Sequence, residues 1–158
     1  MTDFVKAFKG DPQLGSLSTP ISDSAIVKAF IGNLPAYRKG LSPGRRGLEI
    51  GMAHGFFIYG PFALLGPLRN TELASLAGLL ATVCSIVLLT LGLSLYGETV
   101  STKIVSSTPL AVPAELETSS GWSELASSFL IGGAGGAAFA YFLNSVAPIQ
   151  KIAGLLWN

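Results

Sequence analysis

The sequence predicts an all-α membrane protein with three transmembrane helices behind a polar amino-terminal arm. Three observations carry that prediction. The 158-residue chain holds three long runs without a formally charged residue: 19 positions between Glu49 and Arg69, 25 between Glu72 and Glu98, and 26 between Glu124 and Lys151. A helix rises about 1.5 Å per residue, so roughly 20 residues cross a hydrocarbon core of about 30 Å. Only 12% of residues are charged and the mean hydropathy is +0.56, whereas about a quarter of a soluble domain is charged. Lysine and arginine are also unevenly placed, with seven of the ten before the first run.

Residues 1–46 form the arm. Pro12, Pro20, Pro35 and Pro43 punctuate it and argue against long helices. A short helix is expected over 24–31, capped by Asp23, with Ile26 and Phe30 on one face and Gly32-Asn33 at its end. So short a piece needs a partner surface, and the arm reads as laid along a larger protein or the membrane face.

The spans follow at 47–66, 73–96 and 122–146. Pro61 predicts a kink or an early end to the first. The tight connection 67–71 makes the first two spans an antiparallel hairpin. Residues 97–121 form a longer loop rich in Ser, Thr, Pro and Glu, and 147–158 form a tail. Trp122 and Trp157 sit near opposite ends of the third span, as interfacial anchors do. The whole chain makes one bundle and a single domain.

The arm and the 97–121 loop share a side and hold eight of the ten basic residues: Lys6, Lys9, Lys28, Arg38, Lys39, Arg45, Arg46 and Lys103. Arg69 and Lys151 lie opposite. The positive-inside rule therefore places the arm on the cytoplasmic side. No apolar core followed by a small-residue cleavage site occurs in the first 46 residues, so no signal peptide is expected. Cys84 is the sole cysteine, which rules out an internal disulfide. A net charge of +1 gives no reason to expect nucleic acid as a partner.

Candidate chemistry centres on the first span. Gly47, Gly51 and Gly55 make a stripe of small residues, and His54 projects close to its edge. An imidazole beside missing side chains suits axial ligation of a flat metallated macrocycle, since neutral imidazole nitrogen serves the magnesium of a chlorophyll or the iron of a haem. The alternative is that the glycines let helices pack closely while His54 hydrogen-bonds backbone. Glu49 lies about 140° around the helix from His54. Its spacing of four from Arg45 favours an ion pair with Arg45 or Arg46. The other reading is a hard oxygen donor to a second magnesium. In the third span, Gly132-Gly133-Ala134-Gly135-Gly136-Ala137-Ala138 offers a bare surface to another helix or to an apolar ligand.

Enzymatic readings find little support. One histidine and one cysteine assemble neither a His-rich metal cluster nor a convincing Cys–His pair, and neither GxxxxGK[ST] nor GxGxxG occurs. A b-type cytochrome normally needs two histidines per haem.

A longer pattern then emerges. Pro20-Ile21-Ser22-Asp23-Ser24, Gly32-Asn33-Leu34-Pro35-Ala36-Tyr37-Arg38 and Gly40-Leu41-Ser42-Pro43 are followed by Arg46-Gly47-Leu48-Glu49 and Gly51-Met52-Ala53-His54-Gly55. Gly60-Pro61, Leu65-Gly66-Pro67-Leu68-Arg69, Tyr96-Gly97 and Gly121-Trp122-Ser123 complete it. In order and over nearly the whole chain, these segments resemble subunit XI of photosystem I (PsaL) in its cyanobacterial form.

That resemblance implies a non-catalytic, three-helix subunit with its arm on the stromal side and its tail on the lumenal side. It implies chlorophyll a and β-carotene as cofactors, with Glu49 and His54 as axial magnesium ligands. It also implies other photosystem I subunits, neighbouring copies of the chain in a trimer or other oligomer, and membrane lipid as partners. The setting would be a photosynthetic membrane: the thylakoid, or the cytoplasmic membrane where a host lacks thylakoids. The rival readings are a pigment-free structural adaptor and a small ion or proton carrier using Glu49 and His54.

The chain departs from the family pattern at three places. Gly44-Arg45-Arg46 stands where relatives carry bulky aliphatic residues before one arginine. Asn70 replaces an aspartate associated with a calcium ion at the contact between monomers, so calcium near Pro67 and Asn70 loses a charged donor. The tail from Ala147 matches only loosely.

Overall fold

The structure, a computed structural model, describes residues 4–11, 13, 17–100 and 110–146. Pro12, Lys103, Lys151, Trp157 and the tail 147–158 lie outside the described residues, and with them the expectation of a second tryptophan anchor. Four helices account for most of the described chain: α1 (Ala25–Asn33), α2 (Pro43–Leu65), α3 (Ala74–Thr99) and α4 (Ser119–Ser145). Before them a small antiparallel hairpin pairs β1 (Lys6–Ala7) with β2 (Leu17–Ser18).

Local chemistry sets the helix starts, and in two places it differs from expectation. The cap of α1 is Ser24, whose hydroxyl accepts from the Val27 N–H at 3.3 Å; Asp23 instead pairs with Lys28 at 3.5 Å. A hydroxyl one residue closer reaches the orphan amide better than the carboxylate before it. Helix α2 begins four residues ahead of the expected span. The Ser42 hydroxyl accepts from the Arg45 N–H, and Pro43 occupies the first turn, where its missing N–H costs nothing. It also runs through Pro61 to Leu65, so the early end does not occur. Thr118 caps α4 through Gly121 N–H, and the Trp122 indole donates to the Leu116 carbonyl at 2.6 Å.

Helices α2, α3 and α4 contain 23, 26 and 27 residues, about 34–40 Å at the usual rise, and each is apolar enough to cross a membrane. Helix α2 packs chiefly on α4. Their contacts advance together, Gly47 on Leu125, Gly51 on Phe129 and Gly55 on Gly133, so the two run parallel. The seam is made of backbone. A methyl group at Gly47, Gly51 or Gly55 would run into the carbonyl oxygens of Leu125, Phe129 or Gly133. One at Gly132 or Gly136 would meet the carbonyls of Leu48 or Met52. Glycine is required because van der Waals packing, without a hydrophobic drive, must hold helices together in lipid.

Helix α3 returns antiparallel, with Gly78 against Ala63 at one end and Gly97 against Trp122 at the other. Ile86, fully buried, wedges onto Gly133. At the far end Asn144 of α4 donates to the Tyr59 hydroxyl (3.0 Å) and to the Ser75 hydroxyl (2.7 Å), tying three helices together. Thr82, also fully buried, satisfies its hydroxyl on the Gly78 carbonyl of its own helix at 2.7 Å. Outside the seams the helices turn Phe57, Leu64, Leu88, Leu95, Ile131 and Phe142 outward. Such a surface suits hydrocarbon or apolar neighbours and not water.

Candidate functional site

Helix α2 separates two apolar clefts, each with one side chain of a type able to ligate a metal at its edge. The first, about 700 Å³, lies between Glu49, Met52 and Phe56 of α2 and Gly132, Gly135 and Phe139 of α4. The second, about 410 Å³, lies on the other flank. His54 and Ile50 form one wall, Leu88 and Gly92 of α3 another, and Trp122 and Phe129 of α4 a third. Both volumes fall in the range of small-molecule sites. The 140° between Glu49 and His54 thus becomes a physical separation. No hydrogen bond joins the two side chains among the described residues.

His54 is held by two contacts. Its Nδ1 lies 2.8 Å from the Ile50 carbonyl oxygen. A carbonyl only accepts, so Nδ1 carries the hydrogen, and in the neutral ring Nε2 keeps its lone pair. That tautomer is the one a metal ligand needs, with the second nitrogen fixed by a carbonyl. The ring also stands edge-on to Phe129, with centroids 5.4 Å apart. The sequence-level alternative, a hydrogen bond to backbone, is therefore present together with a free donor atom.

Glu49 is half-buried and its partner is neither Arg45 nor Arg46. Nη2 of Arg38 donates to both of its carboxylate oxygens. The chain reaches this position through the turn after α1, where Tyr37 and Arg38 N–H groups bond the Leu34 carbonyl. Gly40 then adopts φ +77° before the chain enters α2. Arg46 is buried and bonds the Pro35 carbonyl instead. A carboxylate keeps further lone pairs after accepting from an arginine, so a magnesium ion can still find an oxygen there.

Two glycines distinguish the clefts from the packed seams. At Gly92 and Gly135 an added Cβ would meet nothing within 4 Å. Their missing side chains leave space, while those of Gly51 and Gly133 are taken up by a neighbour. The clefts therefore pair an available donor with an open, apolar wall, which fits an axially ligated flat macrocycle.

The third candidate site is different in kind. Pro67 and Asn70 are exposed in the turn between α2 and α3, and Arg69 donates to the Gly66 carbonyl at 3.3 Å. Among the described residues no three His, Cys, Asp or Glu side chains gather to hold a metal. A calcium ion here would have the Asn70 amide oxygen, backbone carbonyls and the nearby exposed Glu72 to draw on, with the remaining oxygens from water or a neighbouring chain. Sequence reasoning missed Arg38, Phe129 and Gly92. Only the arginine left a trace, as a cation with no acid at helical spacing.

A family model described as photosystem I reaction centre subunit XI matches residues 4–149. The chain is 57% identical over 150 residues to photosystem I reaction center subunit XI of Crocosphaera subtropica, covering 92% of this chain and 96% of that one. It is 62% identical over 142 residues to the protein of that name from Picosynechococcus sp., covering 89% and 93%. The Porphyra purpurea protein of that name is 50% identical over 155 residues, covering 98% and 97%.

Proposed function

Because this chain belongs to the photosystem I reaction centre subunit XI family, we propose that it holds chlorophyll a at His54 and at Glu49 and joins copies of the complex to one another. Its place as a membrane subunit of photosystem I, beside the other components of that complex in a photosynthetic membrane, is the premise of that reading. The observation that carries the pigment assignment is the pairing of one donor with one apolar cleft on each flank of α2. A bound chlorophyll supplies light absorption and excitation transfer. The chain's own part is to position. His54 offers Nε2 because Ile50 occupies Nδ1, and Glu49 offers an oxygen while Arg38 balances its charge.

Gly92 and Gly135 leave room for a ring face, and the wide cleft beside Gly132 and Phe139 also suits an elongated apolar molecule such as β-carotene. The outward leucines and phenylalanines of the bundle support contact with lipid and with other membrane subunits. The same surface supports contact between copies in a trimer or other oligomer. Calcium at Pro67 and Asn70 belongs to that contact if a second chain contributes some of the remaining oxygens. The thylakoid is the expected membrane in hosts that possess one.

Pigment analysis of purified photosystem I tests the reading. His54→Leu and Glu49→Leu should each remove one chlorophyll per copy of this chain and change the absorption spectrum. An unchanged chlorophyll count in both variants rejects the pigment assignment and leaves the adaptor role.

A further inference from the structure

A second kind of site lies where the arm meets the start of α2. We propose that this pocket binds one phosphate-type oxyanion, either the phosphodiester headgroup of an anionic lipid or free inorganic phosphate. The pocket, about 580 Å³, is formed by Asn33, Tyr37 and Lys39 of the arm, Arg46 of α2, and Leu110 and Glu115 of the segment leading to α4.

Arg46 carries the argument. It is only 2% exposed, its Nη1 donates to the Pro35 carbonyl at 2.7 Å, and its Nε–H has no hydrogen-bond partner. No carboxylate lies within ion-pair distance of it among the described residues. A guanidinium stays charged at any relevant pH, and burying it is costly when Glu115 acts on it only through space and no carboxylate is in contact. The other charges at the pocket do not cancel it. Arg38 is committed to Glu49, which leaves Lys39 and Arg46 against Glu115, a net of one positive charge. A singly charged oxyanion balances that excess, and its oxygens match the fork of an arginine. Depth fits as well. Arg46 sits in the first turn of a 23-residue helix, of which about 20 residues fill the hydrocarbon, so the pocket lies at headgroup level.

The test uses intact photosystem I carrying Arg46→Gln, Lys39→Gln or Glu115→Gln in this chain. Phosphatidylglycerol retained after detergent washing is counted by mass spectrometry, and binding of radiolabelled inorganic phosphate is measured on the same samples. Arg46→Gln and Lys39→Gln should weaken retention or binding by roughly tenfold, the worth of one charge-assisted contact. Glu115→Gln should strengthen it. The two surface substitutions, with opposite expected signs, decide the matter if Arg46→Gln disturbs assembly. Loss of one lipid per copy identifies a headgroup, and loss of saturable phosphate binding with lipid unchanged identifies the free anion. Unchanged lipid and phosphate in Lys39→Gln and Glu115→Gln overturns the proposal.

Discussion

Arg38 holds both carboxylate oxygens of Glu49, reaching from the arm to a residue eleven positions later in the chain. The contact ties the conformation of an extramembrane segment to a side chain at the edge of an apolar cleft. Between these two residues in the chain, the Gly44 N–H donates to Glu124 of α4 at 3.0 Å, so a carboxylate also meets the positive end of α2. The start of α2 is thus fastened from two sides by charge.

Arg38→Gln should loosen the arm and leave Glu49 facing the cleft without its counter-ion. The pair is more than a third exposed on each side, so the stability loss should be about 1 kcal/mol. Limited proteolysis should then cut the arm faster, and Arg38→Lys should restore part of the protection. Equal cleavage rates in all three proteins would show that the pair does not fasten the arm.

Gly51 and Gly135 should respond differently to a methyl group. Gly51→Ala forces Cβ against the Phe129 carbonyl and must part the helices, at about 1–3 kcal/mol or more. Gly135→Ala meets no protein atom and leaves the seam intact, so the chain should stay as firmly bound as before, while the methyl takes up room in the Glu49 cleft. Thermal dissociation of the chain from the purified complex gives the comparison, and a similar shift for both variants contradicts the packing described.

Asn144→Leu should remove two bonds that link α4 to α2 and α3. Interhelical hydrogen bonds in membranes average about 0.6 kcal/mol each, so a loss of about 1–2 kcal/mol is expected. The effect should be confined to this end of the bundle. Hydrogen exchange at Ser75 and its neighbours should rise while that around Gly47 stays unchanged.

Deleting the chain should leave photosystem I photochemically competent and mostly monomeric, if contact between copies runs through this subunit. Native gels and sedimentation of the deletion strain provide the measurement. Undiminished higher oligomers would refute the oligomer role while leaving the pigment assignment to its own test.

The three spans were legible because hydrocarbon thickness converts directly into run length, and the glycine stripes because a period of four survives in any straight helix. The separation of Glu49 from His54 followed from the same geometry. Contacts set by chain reversal were hidden. Arg38 reaches Glu49 through the turn at Leu34 and the left-handed Gly40, neither of which helical spacing encodes, so Arg45 was the natural but wrong partner. The cap of α1 passed from Asp23 to Ser24 because two adjacent residues were both good caps, and only placement separates them. The role of each glycine was equally concealed: Gly133 packs and Gly135 does not, though they stand two residues apart in one run.

The backbone seam between α2 and α4 has a thermodynamic corollary. Glycine and alanine surrender no rotamers when they are covered, so joining these two helices freezes almost nothing beyond their relative position. Nor can the glycine-to-carbonyl contacts of that seam repack to relieve stress. The angle between the helices is therefore fixed by the peptide frame itself, and whatever leans on either flank inherits a steady orientation.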